Sequence, residues 1–152
     1  MNNEPGVVKE PDDEKLGFVP IDLVHHLEGI AYSNCTFLLN GKKMLHRVSK
    51  ITPLKTGQFV TIWKRNKEGI TVPYDIADEL DFFIITSKSG ENFGQFIFPK
   101  SVLADKGIIS NNGIGGKRGM RVYPTWDITK SKQAEKTKCW QTKYFLTITN
   151  DH

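Results

Sequence analysis

Hydrolysis of a phosphodiester by metal is commonly arranged with an Asp on one strand and a Glu-x-Lys on the next. The two carboxylates hold Mg²⁺ and the Lys positions the attacking water. The stretch Asp81-Phe-Phe-Ile-Ile-Thr86 followed by Phe93-Gly-Gln95-Phe-Ile-Phe98 carries half of that pattern. Asp81 opens the first run, but Gln95 stands where the acid belongs and Ile97 where the Lys belongs. An amide offers a cation an oxygen without charge, and Ile97 can neither orient water nor stabilise an anion. Glu28 or Lys100 could stand in as displaced groups, which keeps a surviving metal-dependent nuclease as the alternative. The main expectation is a degenerate site at Glu28, Asp81, Gln95, Ile97 and Lys100, with no catalytic residue, no metal and no cofactor.

A second chemistry is charge. Residues 1–28 carry seven acids against two lysines, whereas the remainder carries nineteen basic residues against ten acids. Between Lys100 and Lys143 the imbalance is steepest, ten basic residues against three acids. A body so biased attracts polyanions, of which nucleic acid is the commonest in a cytoplasm; a solubilising surface is the competing reading. Trp63-Lys64-Arg65 ends a strand with an aromatic and two cations, suited either to a base and its phosphates or to a core ring and a charged turn. Lys117, Arg118 and Arg121 follow a Gly-rich loop, Asn111 to Gly116. It is not a Walker loop, which needs Gly where Asn111 stands and Ser or Thr where Arg118 stands. Tyr123 and Trp126 add aromatics, and Lys132 and Lys136 a basic stripe on a late helix.

These residues need elements to position them. The two Phe/Ile runs are nearly continuous in apolar residues, predicting a hairpin with both faces covered. Asn40-Gly41 predicts a second hairpin joining Thr36–Leu39 to Lys42–Val48. A strand is expected over Gln58–Trp63 and another at Phe145–Ile148. Helices are expected after Pro20 through about Ile30, over Lys100–Lys106 with Gly107 as the stop, and from Ser131 to about Tyr144. In the last, Ala134, Thr137, Trp140 and Tyr144 share a side away from Lys132, Lys136 and Lys143. The fold class implied is α/β of the α+β type, a mixed central sheet flanked by helices. Residues 1–16 read as an acidic, loose tail and 17–152 as one domain.

At 152 residues, 38% hydrophobic and 11% aromatic, the chain can bury a core without disulfides. No apolar run reaches the roughly 18 residues of a membrane span, and the acidic start lacks the features of a secretory signal. A cytoplasmic protein is expected. Cys35 and Cys139, far apart and outside any C-x-x-C spacing, are expected to stay reduced.

From about Phe18 to Ile148 the chain resembles the MepB family of small bacterial proteins, some encoded beside a multidrug efflux transporter and its repressor. The resemblance rests on Cys35-Thr-Phe, Arg47-Val-Ser-Lys-Ile-Thr-Pro53, Gly57-Gln-Phe-Val-Thr-Ile-Trp-Lys-Arg65, Pro73-Tyr-Asp75 and Asp81-Phe-Phe. It continues in Gly94-Gln-Phe-Ile-Phe-Pro-Lys100, Gly116-Lys-Arg-Gly119 and Arg121-Val-Tyr-Pro124. That resemblance implies a fold like the PD-(D/E)XK nucleases without their catalytic set, and nucleic-acid binding. The expected function is thus non-catalytic binding of nucleic acid through Trp63, Lys64, Arg65, Lys117, Arg118, Arg121, Tyr123, Trp126, Lys132 and Lys136. Single-stranded DNA or RNA is the expected partner and duplex DNA a weaker one; no membrane and no small-molecule substrate is implied. A protein-interaction module of a drug-response operon is the third possibility, suggested by gene neighbourhood alone.

Overall fold

A computed structural model describes residues 34–148. The tail expected at 1–16, the start of the expected domain, the helix expected after Pro20 and Glu28 lie outside them. In chain order the elements are β1 (Cys35–Leu39), β2 (Lys42–Val48), β3 (Lys50–Ile51), β4 (Gln58–Thr61), β5 (Trp63–Arg65), β6 (Thr71–Pro73), β7 (Phe82–Ser89), β8 (Asn92–Pro99), α1 (Lys100–Asp105), β9 (Gly119–Val122), α2 (Lys132–Gln141), a 3₁₀ turn (Thr142–Tyr144) and β10 (Phe145–Thr147).

The central sheet is mixed, in the order β1-β2-β7-β8-β10. Among the described strands of this sheet β2 and β7 run parallel and the other neighbours antiparallel. A parallel pair needs a long crossover, and that crossover holds β3–β6. Within it β3 and β4 join β9 in a three-stranded sheet, and β5 and β6 form a two-stranded one. Asn40 and Gly41 link β1 to β2 with φ of 53° and 78°, the two positive values a type I′ turn requires.

The β7–β8 hairpin is longer than its apolar runs. Ser89 pairs with Asn92, so the connection is Gly90-Glu91, with Gly90 at φ 62°. Strand pairing here carries on through the polar residues that the sequence marks as a turn. Phe83, Ile85, Phe96 and Phe98 enter one buried cluster with Leu45, Val60, Val122 and Leu103, while Ile84 and Ile97 enter another with Met44 and Leu146. Trp140 and Tyr144 hold α2 on the first face through Phe98, at ring distances of 5.5 and 5.9 Å. Burying a side chain of this size is worth about 1.5–3 kcal/mol, so these rings set where the helix lies.

The strand expected over Gln58–Trp63 divides at Ile62, whose N–H donates to Arg118 O. Ser131 caps α2 by accepting from Ala134 N at 3.0 Å. The helix ends at Gln141, its last turn tightening into the 3₁₀ segment. Among the described residues no helix is long and apolar enough to cross a membrane.

Candidate nucleic-acid interface

Strands β4 and β9 pair Gln58 with Val122 and Phe59 with Arg121. Alternation sends Gln58, Val60, Met120 and Val122 into the core and turns Phe59, Thr61, Gly119 and Arg121 outward. Past β9, the buried Gln141 of α2 ties helix to strand: Tyr123 N donates to Oε1 at 2.8 Å and Nε2 donates to Arg121 O at 3.0 Å. One side chain thereby satisfies two backbone groups beside an edge strand.

Between α2, β9 and the 54–56 loop lies an open groove of about 670 Å³. Among the described residues five cations line it, Lys55, Lys106, Lys117, Arg121 and Lys130, and no Asp or Glu does. Tyr123 and Trp140 are its aromatics. The Lys106 ammonium sits 5.3 Å over the Trp140 ring, and Arg121 Nη1 donates to Thr56 O at 3.3 Å. Gly57 makes room for Tyr123. It holds φ 85°, and a Cβ there would stand 2.8 Å from the tyrosine ring, so a side chain is opposed by both strain and contact. Five like charges gathered in one groove make a region that favours polyanions.

Of the expected binding residues, the groove gathers Lys117, Arg121 and Tyr123. Trp63, Lys64 and Arg65 lie on β5, where Lys64 pairs with Asp78. Arg65 covers the Trp63 ring at 5.2 Å and donates to Gly69 O. Arg118 reaches β6 through Thr71 O. Lys132 and Lys136 are exposed but are not among the groove-lining residues of α2, which include Gln133, Ala134, Thr137 and Trp140. Trp126 corrects the reading of an open aromatic: it is half-buried, its ring packs edge-on against Phe145 of the core cluster at 5.6 Å, and its Nε1 is buried without a partner among the described residues. Sequence reading missed Lys55, Lys106, Lys130 and Trp140 as groove residues. None of these cations has a cation next to it in the chain, so no local run marked it.

The Gly-rich loop is anchored rather than a set of free amides. Asn111 N and Ile114 N donate to each other's carbonyls, Lys117 N to Ile108 O, and Gly113 N to Asp75 Oδ1 at 2.8 Å. Asp75 also accepts from Ser110 Oγ at 2.6 Å and Ala77 N at 2.9 Å. The Ser110 hydroxyl first, then the Gly113 and Ala77 amides, lower its pKa from 3.8 to about 2. Folded protein thus binds this proton less readily than unfolded protein does. The stabilisation is complete above pH 3.8 and lost as pH falls through about 2. Asp75→Asn should unfold at lower denaturant than the parent above that window, the gap closing toward pH 2; a gap independent of pH would contradict this.

The degenerate pair is not brought together. Phe82 pairs with Pro99 and Thr86 with Gln95, which puts Asp81 just before the open end of the hairpin and Gln95 at its middle, roughly 16 Å of strand apart at about 3.3 Å per residue. Asp81 is instead a structural clamp. Its Oδ2 accepts from Lys43 N at 2.8 Å, its N–H donates to Lys43 O and its carbonyl accepts from Lys100 N. Lys100 Nζ donates to Asp78 O. Ile97 is core. Gln95 is fully buried, and neither Oε1 nor Nε2 has a partner among the described residues. An unsatisfied buried amide costs about 1–3 kcal/mol, so Gln95→Met should raise the thermal midpoint by several degrees. A lower midpoint would mean the amide is paired in solution. Among the described residues no three of His, Cys, Asp and Glu converge to hold a metal ion, and Cys35 and Cys139 are free thiols.

A protein-family model described as MepB-like matches residues 26–147. The solved structure described as "Crystal Structure of MepB" is similar at 31% identity, covering 96% of this chain and 87% of that one, with a TM-score of 0.74. No curated protein matches.

Proposed function

This chain belongs to the MepB-like family, and we propose that it is a non-catalytic nucleic-acid-binding protein that grips sugar-phosphate backbone in the groove between α2 and β9. The observation that carries this reading is the groove itself, lined among the described residues by five cations and no carboxylate. Tyr123 among those cations favours unpaired strands, because stacking needs an open base face. Phosphate contacts carry no sequence code, so affinity is broad in sequence and steep in salt. The absence of cutting is supported by Asp81, committed to Lys43, and by the neutral Gln95 and apolar Ile97 in place of an acid and a lysine.

Fluorescence anisotropy with labelled single-stranded RNA, single-stranded DNA and duplex tests this. Five contacts at about 0.7 each predict a log–log salt slope near −3.5, hence about 10²-fold weaker single-strand binding at about 200 mM than at about 50 mM salt. Salt-independent binding, or none at low salt, overturns the reading. Strands incubated with the protein in Mg²⁺ or Mn²⁺ stay intact; cleavage abolished by Asp81→Ala would overturn the non-catalytic half.

A further inference from the structure

The small sheet has one face in the core and one in solvent, and the solvent face is not ordinary. Register places Lys50 beside Phe59 and Phe59 beside Arg121, a row of cation, aromatic, cation across β3, β4 and β9. Phe59 is 40% exposed and has no polar tip to justify that position. Its ring occupies the space a side chain would fill at Gly119, where a Cβ would stand 2.6 Å from Phe59 Cζ. The ring is therefore seated on the backbone of β9, held in place before anything binds. Gly119 and Arg121 also line the groove, so this face continues into it.

We propose that the outer face of this sheet is a base-stacking subsite. Phe59 takes an unpaired base, and Lys50 and Arg121 hold the phosphates on either side. Charge complementarity selects the occupant: a bare aromatic between two cations suits a single-stranded polyanion with flat apolar bases, whereas a duplex keeps its base faces closed. The alternative is that the ring only shields a glycine in a sheet, a known stabilising arrangement. The subsite rests on the nucleic-acid reading above but makes a separate demand, that bases as well as phosphates contribute.

The test compares a single-stranded oligonucleotide with an abasic phosphodiester strand of equal length, on wild type, Phe59→Leu and Phe59→Trp. Phe59→Leu is expected to bind the oligonucleotide about tenfold more weakly, within the range of one base–aromatic stack, with abasic binding and salt slope unchanged. Phe59→Trp is expected to retain affinity and to show fluorescence quenching by the oligonucleotide beyond that of wild type. Unchanged oligonucleotide binding by Phe59→Leu, or equal losses on both strands, overturns the subsite while leaving the groove standing. If wild type binds neither strand, the nucleic-acid reading fails and the subsite with it.

Discussion

Reversing Lys55 and Lys117 to glutamate will weaken binding of a single-stranded oligonucleotide by at least about 10²-fold, because each lost phosphate contact is worth about tenfold. Both side chains line the groove and both are exposed, so the change costs the fold little. The control is reversal of Lys132 and Lys136, identical in charge but outside the groove lining. With screening over about 8–10 Å in physiological salt, that control should weaken binding only a few-fold. Anisotropy titrations on the two variants and wild type decide the matter. Equal losses would mean that net charge, and not the groove, attracts the ligand.

The second large effect concerns Gln141. Replacing it with Leu leaves the Tyr123 N–H and the Arg121 carbonyl without the partner each now has. At about 1–3 kcal/mol per unsatisfied buried group, the loss should be about 2–5 kcal/mol, which for a domain of this size lowers the thermal midpoint by roughly ten degrees or more. Gln141→Glu should not rescue it: a carboxylate can accept from Tyr123 N but cannot donate to Arg121 O, and it brings a charge into a fully buried position. Calorimetry on both variants checks this. A midpoint within two or three degrees of wild type would show that the helix is docked by its aromatics alone, with Gln141 incidental.

The central hairpin was legible because Phe and Ile crowd both runs, and the β1–β2 turn because Asn40-Gly41 accepts positive φ. Helix α2 was legible from Ser131, which caps it, and from the spacing of Ala134, Thr137 and Trp140. What the sequence concealed depends on contacts distant in the chain. The parallel β2–β7 pairing and the division into separate sheets follow from a crossover of more than thirty residues, beyond the reach of local pattern. Gln141 reads as one more polar helix residue until the strand edge it satisfies is in place.

The groove illustrates the same limit. Adjacent cations such as Lys64 and Arg65 attract notice in a sequence, yet here Lys64 is paired with Asp78 and Arg65 lies over Trp63. Lys55, Lys106 and Lys130 stand singly and converge only when α2 lies beside β9. Trp126, between Pro124 and Asp127, has the neighbours of an exposed loop residue, but Phe145 offers its ring a buried face. Burial beside it also raises the Asp127 carboxyl pKa, against the opposing charge of Lys138.

Photo-crosslinking of a single strand carrying a reactive base analogue, followed by peptide mapping, tests the location of binding most directly. The groove account predicts adducts in the 54–56 segment and at Tyr123. Adducts confined to β5–β6 or to Lys132 and Lys136 would contradict it.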